Sequence, residues 1–254
     1  MGRLHGQVAI VTGGASGIGA ATARLLAAKG VRVVIADIDD GKGQAVAAGI
    51  GGTARFVHCD VASPGDTERL IGFTASVFRE PDVLVNDAAI LSSKTVHETD
   101  PAEWRRVIDV NLGGVYNCCR SVLPGMLTRR SGCIINLASP HAYATGRAIA
   151  AYAAAKGGVL ALTRQMALDY IRHGIRVNCV VPGAIDTPML AADTQQGAEW
   201  QENLRGWERN QPIGRLGTPE DVARVIVWLC TDAAAFLVGS PVIADGGLLA
   251  QLLP

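Results

Sequence analysis

Short runs of consecutive apolar residues recur along the chain, each followed by a longer stretch with helical spacing. Val8-Ala9-Ile10-Val11-Thr12, entered from Gln7, is too short for a helix and predicts a buried strand. The same texture returns at Val31 to Ala36 (ending on Asp37), Ala54 to His58, Asp82 to Asn86, Cys133 to Ala138 and Ile175 to Val180. A last strand is expected near Pro241 to Ala244. Helical patterns fill the intervals: Ala20 to Lys29, closed by Gly30; Pro64 to about Arg79; Pro101 to about Thr128; and a long helix ending near His173. Thr218 opens another, with Pro219 in its first turn and Glu220-Asp221 near the positive end of its dipole. Asn111 and Gly113-Gly114 interrupt the Pro101 helix and predict a bend or a polar task there. Strands alternating with helices predict parallel βαβ units with right-handed crossovers. The fold class is therefore α/β, a doubly wound parallel sheet of about seven strands with its ligand crevice at the carboxyl ends of the strands. No repeat or linker divides the chain, so residues 1–254 read as one domain. Residues 188–210 are polar and irregular and contain Trp200 and Trp207. They read as a mobile lid over the crevice, the alternative being a helical insert packed on the body or on another subunit.

Composition supports a large core: of 254 residues, 49% are hydrophobic and 18% charged. The formal net charge is zero, without a basic block or an acidic tail, which argues against nucleic acid as a partner. Six cysteines form no CxxC pair and predict buried free thiols in a reducing compartment. Five histidines show no ligand spacing, so no metal is expected. No apolar run is long enough to cross a bilayer, and none at the start reads as a signal peptide, so a soluble cytoplasmic protein is expected.

Three stretches carry chemistry. The turn Thr12-Gly13-Gly14-Ala15-Ser16-Gly17-Ile18-Gly19 lies between a strand and a helix, where backbone N–H groups can approach a pyrophosphate. Gly13, Ser16, Gly17, Ile18 and Gly19 are the turn residues expected at the cofactor. Asp37 ends the second strand about 20 residues later, the position from which a carboxylate binds both hydroxyls of an adenine ribose. Its charge repels a 2′-phosphate, and neither a following arginine nor Ala15 and Ser16 supply a cation, which argues for NAD over NADP. Tyr152 and Lys156 are four residues apart in an alanine-rich helical stretch, so phenol and ammonium share a face. A fixed positive charge there is expected to acidify the phenol toward proton exchange near neutral pH.

These motifs, in this order and over essentially the whole chain, resemble the short-chain dehydrogenase/reductase family. The resemblance implies a Rossmann-like fold and a catalytic set of Asn111, Ser139, Tyr152 and Lys156. In it, Tyr152 is the acid/base, Lys156 holds the nicotinamide ribose, Ser139 bonds the substrate oxygen and Asn111 keeps a water in a relay from Lys156. Asp60 and Val61 are implied at the adenine, and Ile185 and Thr187, after the Pro182-Gly183 turn, at the carboxamide. Asp87 and Ala88 lie in the loop where the family has NNAG and this chain has Asn86-Asp87-Ala88-Ala89. Asp87 keeps an acceptor and loses a donor, and Ala89 is expected to be strained if its backbone is left-handed. Weakened or retuned cofactor binding follows from both. The expected activity is NAD-dependent interconversion of a secondary alcohol and a ketone. A sugar, a hydroxysteroid or a small cyclic alcohol fits the candidate pocket residues Ile90 to Lys94, His141, Tyr143, Ala148, Met189, Trp200 and Trp207. The alternatives are a dinucleotide-binding sensor or scaffold without catalysis, and a ketoreductase on a carrier-bound thioester. The family's habit implies a homotetramer, with the apolar tail Leu248 to Leu253 as interface material.

Overall fold

The computed structural model describes residues 4–193 and 206–251. Seven strands form one sheet: β1 (Val8–Thr12), β2 (Arg32–Asp37), β3 (Ala54–His58), β4 (Val83–Asn86), β5 (Gly132–Leu137), β6 (Ile175–Pro182) and β7 (Pro241–Ala244). Their order is β3-β2-β1-β4-β5-β6-β7, and every neighbouring pair is parallel. The order reverses direction between β1 and β4, which opens a crevice at their carboxyl ends.

Both faces of the sheet are covered, and the period-two alternation of each strand divides its residues between two cores. On one face Val11, Val85 and Ile135 meet α1 (Gly17–Ala28), α2 (Asp40–Ile50) and α8 (Pro219–Leu229) through Leu26, Val46 and Ile226. On the other, Ile10, Leu84 and Ile134 meet α3 (Pro64–Val77), α5 (Gly114–Arg129) and α6 (Ala150–Tyr170) through Leu70, Met126 and Val159. Val34, Ile10, Leu84, Ile134 and Val177 stand in register across five strands and are all fully buried. Each contributes about 1.5–3 kcal/mol by leaving water.

Two residues further along each strand, on the same face, the central row turns polar: Thr12, Asn86 and Asn136 are paired across β1, β4 and β5. All three are buried. Asn86 donates to Asn136 Oδ1 at 2.8 Å, and Asn136 donates to Thr163 of α6 at 2.9 Å. This row ties the floor of the crevice to the helix carrying Tyr152 and Lys156.

The Pro101 stretch divides as the Asn-Gly interruption predicts. α4 (Pro101–Ile108) passes through a π-helical turn at Asp109–Gly113, containing Asn111, into α5. After α7 (Pro188–Asp193), the lid expected over 188–210 lies largely outside the described residues; 206–210 are helical. No helix of the described residues is long and apolar enough to cross a membrane. All six cysteines are buried and free.

Candidate active site

A single cleft of about 1520 Å³ runs over the carboxyl ends of the strands. Its floor is the glycine turn. Gly13 has φ +66°, and a Cβ there would stand 2.8 Å from Ala88 N. A Cβ on Gly19 would strike the Gly13 carbonyl and come within 2.9 Å of an Asp87 carboxylate oxygen. Gly17 also has positive φ, +49°, facing Thr187. The turn is thus closed around its own backbone and leaves no room for a side chain at Gly13 or Gly19. Ser16, the N-cap of α1, makes no side-chain bond to the helix, and the first turn has no acidic residue. The first N–H groups of α1 are therefore available to an anion. A dinucleotide pyrophosphate fits this cradle.

Thr12 holds the neighbouring loop. Its hydroxyl accepts from Asp87 N at 3.2 Å and Ala88 N at 3.3 Å. Asp37 accepts from Ala15 N at 3.0 Å and Asp39 N at 3.0 Å, so its carboxylate is fixed beside the turn. Asp60, Val61, Asp87, Ala88, Ile185 and Thr187 all line the cleft, with Gly13, Ser16, Gly17 and Ile18. Gly19 does not line it; it packs beneath. Ile185 is fixed by a bridge to Gly217, and Thr187 accepts from Leu190 N at 3.4 Å at the start of α7.

Ser139, at the end of β5, and Tyr152 and Lys156, on α6, meet at the other side of the cleft. Lys156 is buried, and its ammonium donates to Leu137 O at 2.8 Å and lies 5.6 Å from the Tyr152 ring centroid. The two therefore do share a helix face. The expectation of an acidified phenol is corrected: burial pushes Tyr152 up to about 12, and the Asp87 charge adds to the rise. A hydrogen bond from Ser139 acts the other way. Burial also lowers the Lys156 ammonium, while the charge of Asp87 opposes that shift. Burial pushes the Asp87 carboxyl up to about 7, against the attraction of Lys156 and a Gly19 N–H bond. His141, two residues after Ser139, stands edge-on to Tyr152 at 6.0 Å between ring centroids.

Asn111 is fully buried and does not line the cleft. Its amide accepts from Ile90 N at 2.8 Å and donates to Ile90 O at 2.8 Å, so its side chain braces the β4–α4 loop. The expected strain at Ala89 is also corrected: among the described residues only Arg130 and Ala148 are non-glycine residues with positive φ. Of the candidate pocket residues, Ile90, Leu91, Ser93, His141, Met189 and Trp207 line the cleft; Ser92, Lys94, Tyr143 and Ala148 do not, and Trp200 lies outside the described residues.

Two features are absent from the sequence reading. Gln211 is buried and bonds both backbone groups of Ala184 at 3.2 Å, which holds the Pro182-Gly183 turn. No local pattern marks the bond to Ala184, which lies 27 residues away; Gln211 also donates to Arg215 O at 2.8 Å. Leu248, Leu249 and Gln251 of the tail line the cleft. An apolar run at a chain end reads as interface material, and only the chain path turns it inward.

The family model described as enoyl-(acyl carrier protein) reductase matches residues 13–249. The cis-4-hydroxycyclohexanecarboxylate dehydrogenase of Sinomonas cyclohexanicum is 44% identical over 96% of this chain and 97% of its own length. The 2,5-dichloro-2,5-cyclohexadiene-1,4-diol dehydrogenase of Sphingobium indicum is 41% identical over 98% of this chain and all of its own. The ligand-free structure of the Thermoplasma acidophilum aldohexose dehydrogenase superposes with a TM-score of 0.90 at 31% identity, covering 99% of this chain and 97% of that one. The chain belongs to the short-chain dehydrogenase/reductase family and is a dehydrogenase acting on CH–OH groups.

Proposed function

We propose that this short-chain dehydrogenase/reductase interconverts a small alicyclic secondary alcohol and its ketone with NAD(H). The observation that carries the reading is the meeting of Ser139, Tyr152 and the buried Lys156 in one cleft with a glycine cradle and Asp37. A bound nicotinamide supplies hydride acceptance and return. Ser139 and Tyr152 hold the substrate oxygen between two hydroxyls. With the phenol near 12 from the protein's own groups, Tyr152 is protonated at neutral pH and suited to give its proton to a carbonyl oxygen gaining negative charge. In the oxidising direction it must take that proton, and positive charge beside the ring favours this. Lys156 is one such charge, held in place through Leu137 O. Asn111 acts through Ile90 as a positioning residue.

Asp37 supports the NAD reading: its carboxylate is fixed beside the glycine turn, lines the cleft and would repel a 2′-phosphate bound against it. The cleft volume exceeds the roughly 300–1,000 Å³ of an ordinary small-ligand site, as a dinucleotide plus a ring substrate requires. The two dehydrogenases named for cyclohexane and cyclohexadiene substrates are 44% and 41% identical to this chain and the aldohexose dehydrogenase 31%, which supports an alicyclic substrate ahead of a sugar. The proposal extends to a homotetramer: exposed Trp228, Phe236 and Ile243 around β7, the sheet edge, offer apolar surface to a second copy.

The test is nicotinamide absorbance with a panel of cyclic alcohols, NAD and NADP being compared by kcat/KM. Turnover should favour NAD, and Tyr152→Phe should lower kcat by about 10²–10⁴-fold while still binding dinucleotide. Full activity in Tyr152→Phe, or a preference for NADP, refutes the corresponding part.

A further inference from the structure

We propose that Leu248 and Leu249 form an apolar wall of the alcohol-binding end of the cleft and select substrates with a neutral ring body; the inference rests on the alcohol dehydrogenase reading above. Both leucines line the cleft and both are only half-buried. Leu249 packs partly on the core behind it, whereas Leu248 belongs to neither core.

The turn that presents them is fixed from several sides. Buried Asp245 accepts from Gly247 N at 2.9 Å and from Leu249 N at 2.8 Å. Gly246 and Gly247 have φ of +63° and +92°, and a Cβ on Gly246 would lie 2.7 Å from Ile213. Ile213 N donates to Gly246 O at 3.0 Å, and Gln251 donates to Asn210 O at 2.8 Å. Asn210 and Gln211 line the cleft too, and Gln211 ties this segment to Ala184. The tail, residues 210–213 and the Pro182-Gly183 turn thus make one cross-linked wall.

A leucine held half-exposed on a rigid turn gains free energy when an apolar body covers it. The segment brings no charged side chain to the cleft: Asp245 is buried, bonded to backbone N–H groups, and does not line it. Against the two leucines themselves, a hydrocarbon ring covers more apolar surface than a polyol does.

The experiment compares kcat/KM for cyclohexanol and 2-propanol in the full-length enzyme, its Leu248→Ala and Leu249→Ala variants and the volume-conserving Leu248→Met. The cyclohexanol/2-propanol ratio should fall by about 10–100-fold in the alanine variants. Leu248→Met should keep most of the ratio. An unchanged ratio in both alanine variants overturns the wall, as does an equal fall in Leu248→Met. Failure of the wild type to oxidise either alcohol with either dinucleotide overturns the alicyclic-alcohol reading and the wall with it, and is distinguishable by the absence of any turnover.

Discussion

Asp87 stands against the Gly13–Gly19 turn, takes a hydrogen bond from Gly19 N–H, and feels both Lys156 and Asp37. Loss of water pushes its carboxyl from the ordinary 3.8 up to about 7. Between those values the folded chain holds a proton that the unfolded chain has released. The stability contributed by this group is therefore fully present below about 4 and is lost as pH rises through about 7. Asp87→Asn removes the dependence: the melting temperature of the variant minus that of the wild type should be more positive at pH 8 than at pH 5. An ionised Asp87 also opposes an anionic dinucleotide, so NAD affinity should weaken from pH 6 to pH 8 in the wild type and stay nearly flat in Asp87→Asn. Equal affinities at both pH values in both proteins would remove the assigned role. Tyr152 belongs to the same electrostatic unit, since Asp87 is among the causes of its raised pKa.

At the scale of elements, α8 shows how local chemistry fixes a helix end. Thr218 Oγ accepts from Asp221 N at 3.2 Å, and Asp221 accepts from Thr218 N at 2.9 Å, a reciprocal capping box. Pro219 occupies the first turn, where a missing N–H costs nothing. Thr218→Ala should destabilise the protein by about 0.5–2 kcal/mol in urea unfolding, with little change in the slope. Arg215 first, then Thr218 N–H, holds the Asp221 carboxyl down at about 2. Its contribution is present above about 4 and lost as pH falls through about 2, the reverse of Asp87. The π-helical turn between α4 and α5 is a different kind of element. It turns Asn111 inward to Ile90, and the sequence marks it only as an unfavourable Asn and two glycines in a helical pattern.

At the scale of the molecule, the parallel sheet has two edges, β3 and β7. Phe236 is fully exposed, and Trp228 and Ile243 are about half-exposed, the apolar surface assigned above to the proposed tetramer. If the proposed tetramer forms through this edge, Phe236→Asp should shift the sedimentation profile toward smaller species. A wild type that sediments as a monomer at micromolar concentration rejects the assembly.

The sequence by itself determined the seven strands, the helices other than α2 and α7, the glycine turn, the end of β2 at Asp37, and the pairing of Tyr152 with Lys156 on one helix face. Each depends on neighbours within about four residues, where pleat, helical repeat and cap chemistry operate. Only the tertiary structure decided that Thr12, Asn86 and Asn136 form a polar row, that Gln211 braces Ala184, that Asn111 serves Ile90 and that Leu248 and Leu249 face the cleft. Those partners are far apart in the chain and meet only once the crossovers have set the strand order. The rise of Tyr152 to about 12 belongs to the same class, because it comes chiefly from the water that the assembled walls exclude, and no spacing along the chain records that.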